Sequence, residues 1–231
     1  AVSPLDKKAM VGVVERATRA GIPVIIFDTG VDTDVYVARV ATDNYAAGRM
    51  AAERMGGILE GKGKILMVAC QPGSASTIAR EQGFEDVLKE KFPGLRIADK
   101  RFGMSDFAKS LAVAENMLTA HPDADGMFAS NETGSVGAAQ ALKGRKNKVK
   151  MVGFDSSPTL IEDVKTGLID ALVVQHPFKI GYESVRAAVD KLDGKPVEKD
   201  RQLAARLVTR DNLGDPEIQA QLNPDLKKYL Q

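Results

Sequence analysis

The sequence predicts an α/β protein, with parallel sheet covered by helices on both faces. Three observations carry that expectation. Short apolar runs rich in β-branched residues recur along the chain, and such runs suit strands buried on both faces. Segments with apolar residues at helical spacing lie between them. From residue 64 onward the alternation is regular, and repeated strand–helix units fold as parallel sheet with right-handed crossovers.

Each element has its own signal. Residues 7–19 read as a helix because Met10, Val13, Val14 and Ala17 fall on one face and Gly21 follows as a C-terminal stop. Residues 22–27 are a strand and 37–41 a second short extended segment. Residues 45–59 are helical, with Asn44 a candidate cap and the Gly56–Gly57 pair weakening the far end. Strands follow at 64–70, 96–99, 126–130, 150–154 and 171–175. Each leads into a helix, at 76–92, 105–120, 133–143, 158–166 and 177–192, and Pro158 suits a first helical turn. Residues 202–209 are extended. The tail from 211 to 231 is polar, carries Pro216 and Pro224, and is expected to run over the surface.

Composition narrows the function. Of 231 residues, 44% are apolar and 27% charged, which is ordinary for a globular protein. No apolar run approaches the ~18 residues of a membrane-spanning helix. The 32 Lys and Arg against 31 Asp and Glu leave a net charge of +1, without the basic excess of a nucleic-acid binder. Cys70 is the only cysteine, which excludes an internal disulfide and a cysteine-cluster metal site. With His121 and His176 as the only histidines, a histidine zinc site is not expected either. No metal and no cofactor is therefore expected. Ala1 to Met10 has no apolar leader core, and an exported chain after cleavage reads the same way.

Ligands of open α/β sheets bind outside the carboxyl ends of the strands, so the residue after each strand matters most. Those residues are Asp28, Gln71 in the loop 71–76, Asn131, Asp155 and Gln175, with Arg80 in the helix after Cys70. No nucleophile–base pair is among them. Carboxylates, amides and a guanidinium suit a neutral polyhydroxylated ligand, because each hydroxyl donates to Asp and accepts from Arg, Asn or Gln. An unmatched buried partner costs ~1–3 kcal/mol, so such a site separates epimers. Capping and turn formation explain the same residues one by one. Asp155 can cap the helix at 158, and Arg80 can be a surface residue paired with Glu81 or Glu85. Gln175 ends an apolar strand and has no capping role.

Other motifs fail on context. Residues 27–30 (FDTG) look like an aspartic-protease loop, but that fold is almost wholly β and needs two carboxylates sharing a proton. A phosphatase loop after Cys70 needs an arginine where Ser76 stands. Gly73 and Ser74 before a helix could hold an anion, but no Lys-Ser/Thr pair follows. Asp28, Asp32 and Asp34 lack the rest of a calcium loop. Met50, Met55 and Met117 sit at helical positions and read as core.

The segments 20–28 (AGIPVIIFD), 41–44 (ATDN), 79–84 (AREQGF), 118–122 (LTAHP), 128–131 (FASN), 152–155 (VGFD) and 174–175 (VQ) occur in one familiar order. Together they resemble the periplasmic sugar-binding proteins of ABC transporters, in the ribose/galactose-binding group. The likeness spans nearly all of residues 1–210 and extends to the effector domains of LacI-type repressors. It implies a two-lobed type I fold with three crossing strands and a sugar held in the cleft. The lobes are expected at 1–43 plus 176–204 and at 44–175 plus 205–231. Asp28 matches the first-lobe carboxylate, Arg80 the second-lobe arginine, and Asn131, Asp155 and Gln175 the remaining polar ligands. Phe154 lies beside the site, and Phe107, ahead of Phe102, matches the aromatic that stacks on the sugar. Asp43, Asn44, Gln175 and His176 lie near the lobe crossings.

Three departures stand out. Thr29 replaces the arginine of ribose binders, which argues against ribose itself. Glu132 replaces an aspartate. The chain also lacks the two βα units and most of a third strand with which the family begins, so the first lobe is expected to be incomplete and to expose apolar surface. The expectation is a non-catalytic binding protein of an ABC importer for a monosaccharide or similar polyol, periplasmic or else extracellular and membrane-associated. Its partners are the sugar and a membrane permease, with no nucleic acid. It is a monomer when complete and swapped or associated as a fragment. The alternative is the ligand-binding effector domain of a LacI-type regulator.

Overall fold

In the computed structural model, which describes residues 1–145 and 149–229, the apolar runs become strands and the periodic segments helices. The first part of the chain is α1 (Val11–Arg19), β1 (Ile25–Asp28), β2 (Ala38–Thr42), α2 (Asn44–Ile58), β3 (Lys62–Ala69), α3 (Ala75–Lys91), β4 (Gly94–Phe102) and α4 (Phe107–Ala120). Then come β5 (Gly126–Ala129), α5 (Glu132–Leu142), β6 (Lys150–Phe154), α6 (Pro158–Thr166), β7 (Ala171–Val174) and α7 (Pro177–Leu192). The chain finishes with β8 (Asp200–Leu203), β9 (Arg206–Val208) and α8 (Pro216–Leu222).

The strands form two sheets. A small parallel sheet has the order β1-β2-β8, and Val2 adds one parallel bridge at Ile26. A six-stranded sheet has the order β4-β3-β5-β6-β7-β9, parallel except for β9. The extended stretch expected at 202–209 is thus two strands, one in each sheet. The chain passes between the sheets three times: at Asp43, at Gln175–His176, and between β8 and β9.

Strand alternation builds a core on each face. In the small sheet Ile26 joins Val14 and Val24 on one side, while Phe27 meets Val40, Ile180 and Leu203 on the other. In the large sheet Leu66, Val68, Met127, Met151 and Leu172 pack with residues of α4, α5, α6 and α8. Ile65, Met67, Phe128, Val152 and Val173 pack against α2 and α3, where the Phe84 and Phe128 rings stack at 4.2 Å. Met55 and Met117 are fully buried, one on each face of the large sheet, and Met50 lies against the core that holds Met55.

Local details differ from the sequence expectation for identifiable reasons. α1 starts at Val11 because Asp6 Oδ1 accepts from the Lys8 and Ala9 N–H groups and holds residues 6–10 in turns. The cap of α2 is Asp43, which accepts from Ala46 N–H, whereas Asn44 is buried inside the helix start. Gly56 is a close-packing site more than a weak end: a Cβ there would stand 2.3 Å from the Phe92 ring. The polar tail does not simply run over the surface, since Ile218 of α8 is buried in the large sheet's core. No helix among the described residues is long and apolar enough to cross a membrane.

Candidate functional site

The carboxyl ends of β1, β3, β5, β6 and β7 face one another between the sheets and enclose a cavity of about 210 Å³. Its wall from the small sheet is Ser3, Pro4, Leu5, Asp28 and Thr29; Cys70, Arg80, Asn131, Asp155 and Gln175 oppose them. Five of the residues expected at the site therefore converge: Asp28, Arg80, Asn131, Asp155 and Gln175.

Two aspartates enter in the same way. Asp28 (φ 66°) and Asp155 (φ 67°) each stand at a strand's carboxyl end in the left-handed region. That conformation is costly for non-glycine residues, and Asp is among the few that tolerate it. The turn bends the chain away from the strand and leaves the carboxylate at the cavity. Asp155 does not cap α6, because Ser157 takes that role and accepts from Leu160 N–H at 3.3 Å. Asn131 does both jobs: Oδ1 accepts from Gly134 N–H at the start of α5 while the residue lines the cavity.

Arg80 is 3% exposed, so the reading as a surface residue paired with Glu81 or Glu85 is overturned. Lys100 pairs with both of those glutamates instead, at 3.0 and 2.9 Å. The Arg80 Nε donates to Asn44 Oδ1 (2.8 Å), and Nη1 donates to the Ser130 carbonyl (2.9 Å). Its guanidinium carbon lies 3.8 Å from the Phe154 ring centroid, with Asp155 Oδ2 at 3.9 Å from Nη1. The fully buried Phe154 is thus a platform under Arg80, outside the cavity lining. Burial opposes the Arg80 charge, and Asp155 and Asp28 offset that cost.

Asp28 is perturbed in the same field. Burial pushes the Asp28 carboxyl above its usual value, and nearby Asp155 adds to this; Arg80 and the Ser3 hydroxyl pull it back. Ser3 Oγ donates to Asp28 Oδ2 at 3.2 Å. Gln175 joins the walls: Nε2 donates to Asp155 Oδ1 (2.6 Å) and Oε1 accepts from Thr42 Oγ1 (2.7 Å). A second chamber of about 260 Å³ shares Asp28, Asp155 and Gln175, and adds Glu132, Pro177 and Ile180. Burial and Asp155 raise the Glu132 carboxyl.

Neither aromatic expected to stack on a ligand lines the cavity. Phe107 is 45% exposed and Phe102 37%. Asp106 accepts from Lys109 N–H and caps α4, which puts Phe107 on the first helical turn, facing solvent. At the crossings, Asn44 is tied to Thr42 O and Arg80, and His176 Nδ1 accepts from Lys179 N–H as the cap of α7. Burial, with Lys179, lowers the His176 pKa.

The lining also carries hydroxyls that sequence reasoning did not count as ligands, Ser3, Ser74, Ser76, Thr77 and Ser105, beside Thr29, which it had noted at the arginine position of ribose binders. The loop between β4 and α4 at a strand's carboxyl end is the signal that could have found Ser105. Ser105 has φ 54° beside Met104 at 58°, and its Oγ meets Cys70 Sγ and Asn131 Nδ2, each at 3.3 Å.

Comparison with known proteins agrees with this architecture. Residues 1–196 match the family model described as periplasmic binding protein domain. The ribose import binding protein of Bacillus subtilis is 31% identical over 209 residues, covering 90% of this chain and 68% of the relative. A carbohydrate transporter solute-binding protein of Agrobacterium radiobacter, solved with D-arabinose, superposes with a TM-score of 0.91 at 33% identity. That match covers 96% of this chain and 77% of the other. An ABC transporter solute-binding protein of Agrobacterium vitis with bound D-fucose gives 0.90 at 34% identity, covering 94% and 76%.

Proposed function

The chain belongs to the periplasmic binding protein domain family, and we propose that it binds a monosaccharide between its two lobes as the solute-binding component of an ABC importer. The observation that carries this reading is the cavity at the strand ends, where Asp28 faces Arg80, Asn131, Asp155 and Gln175 across the two sheets. A sugar hydroxyl donates to the carboxylates and accepts from the guanidinium and the amides. Arg80 is held by Asn44, Ser130 and Phe154 before any ligand arrives, so little side-chain entropy is lost on binding. Ligand contacts to both sheets favour the closed arrangement, and the three crossings serve as the hinge. The arrangement supplies hydrogen bonds without a nucleophile–base pair, which supports a binding protein more than an enzyme.

On the same reading the protein works in the periplasm and delivers its sugar to a membrane permease. Its small lobe presents an apolar stripe on α7, with Tyr182, Val185, Val189 and Leu192 all more than 40% exposed. This stripe supports self-association of the 231-residue chain, which sedimentation measures directly.

Calorimetric titration with D-ribose, D-arabinose, D-fucose and their epimers tests the function. One sugar should bind and its epimers bind at least tenfold more weakly. At 100 times its dissociation constant that sugar should stabilise the fold by about 2.7 kcal/mol. Absence of heat and of thermal stabilisation with every sugar overturns the reading.

A further inference from the structure

The tail that the sequence leaves without a role runs from the large sheet back to the small one. Leu213 and Ile218 are buried in the large sheet's core, with Leu222 packed against it. Gln221, 6% exposed, donates from Nε2 to the carbonyls of Val174 (3.0 Å) and Gln175 (2.7 Å). These are the last residue of β7 and the first of the crossing to α7. Gln175 is also the residue that joins Asp155 to Thr42 beside the cavity. Seven positions after Leu222, the Tyr229 ring meets Phe178 of α7, with centroids 4.9 Å apart, and Tyr182 at 6.3 Å. α7 covers β1 and β2 of the small sheet through Ile180.

We propose that residues 213–229 are a strap across the hinge that favours the closed arrangement of the lobes, and that Gln221 is a positioning residue for Gln175. The strap holds the large lobe at one end, the crossing's carbonyls in the middle and the small lobe's helix at the other end. Opening the cleft moves α7 away from the large lobe and strains or breaks the Tyr229 contact. A ligand that needs both lobes binds the closed state alone, so whatever favours closure raises its apparent affinity. An aromatic pair of this kind shifts an equilibrium about two- to tenfold. Tyr229 is half exposed, so its side chain contributes little to core burial. A merely structural tail therefore predicts no change in ligand affinity when this side chain is shortened to alanine.

The strap rests on the sugar-binding reading for only one of its two readouts. Tyr229→Ala and Gln221→Leu are compared with the unaltered chain by calorimetry, using D-ribose, D-arabinose and D-fucose as probes. Amide exchange of residues 174–180 is measured in the sugar-free proteins. Tyr229→Ala should weaken the best of these sugars about two- to tenfold, and speed exchange at 174–180, at unchanged melting temperature. Gln221→Leu should act in the same direction, because two crossing carbonyls lose their donor. With Phe178→Ala added, Tyr229→Ala should have a smaller further effect, because only the Tyr182 contact is then left to lose. Affinity and exchange equal to the unaltered chain overturn the strap, and so does a lower melting temperature without either change. If the unaltered chain binds none of the three sugars, the sugar reading fails and the exchange arm alone decides the strap.

Discussion

Asp28 shows how a single residue can be costly to the fold and useful to the site. It sits at φ 66°, and burial raises its carboxyl above the unfolded value of 3.8. A native pKa above the unfolded one means the folded state holds its proton more tightly. Stability therefore falls as pH rises from the unfolded value through the raised native one, and the penalty is complete above the native value. Asn tolerates the same backbone and carries no charge. Asp28→Asn should raise the sugar-free melting temperature at neutral pH, and the gain should disappear as pH is lowered toward 3.8. It should weaken sugar binding roughly tenfold or more, because charged hydrogen bonds are worth about 1.5–3 kcal/mol. A variant less stable at every pH refutes this account of Asp28. At this scale the sequence was informative where position and residue type coincide: Asp28, Asn131, Asp155 and Gln175 after their strands reach the cavity, while Gln71 after β3 does not line it and donates to the Leu5 carbonyl instead. It gave no sign of Ser3, and Ser74 and Ser76 came up only in the anion and phosphatase motifs that failed on context, since serine in a loop has too many other uses. Phe107 stands outside the cavity lining, because a capping aspartate one position earlier decides which way the first helical turn faces.

Between elements, the contact that sets Arg80 is the packing of α2 on α3. A Cβ at Gly48 would stand 1.9 Å from the Arg80 carbonyl oxygen, and one at Gly83 2.2 Å from that of Tyr45. The two helices approach through backbone, which only glycine permits. Gly48→Ala should force them apart, at about 1–3 kcal/mol by the usual scale of overpacking. Because α3 carries Arg80 while Asn44 on α2 accepts from its Nε, the same shift should weaken sugar affinity. Urea denaturation and calorimetry on one preparation measure both effects. Full stability, or lost stability at full affinity, contradicts the coupling. Helix and strand positions were readable from periodicity, with ends displaced by a few residues wherever a side chain such as Asp6 or Asp43 took over the capping. The glycine contacts were not readable, because spacing within one helix does not show which neighbour it meets.

Across the whole molecule, the two sheets differ in how much they bury. The large sheet has apolar cores on both faces reaching from Ile65 to Ile218, while the small sheet has two small clusters around Val14 and Val40. Strand–helix alternation predicted parallel sheet but not its division into two, since nothing in a strand's composition says which sheet it joins. The split of 202–209 into β8 and β9 shows the difficulty: the chain leaves one sheet after Leu203 and is already pairing with the other at Arg206. Tail burial had a faint signal in Ile218 and Leu222, one helical turn apart, which a polar average conceals. Local opening follows burial, so the small lobe should open at lower free energy than the large one. Amides of β1 and β2 should exchange faster than those of β3, β5 and β6 in the sugar-free protein. A sugar that contacts both lobes binds only when the small lobe is folded, so saturating sugar should slow exchange in β1 and β2 more than in β3. Hydrogen exchange read by mass spectrometry decides it. Equal protection of both sheets without sugar would mean that the small sheet draws stability from the large one through the crossings and the tail, and the separate-lobe account of opening would have to be abandoned.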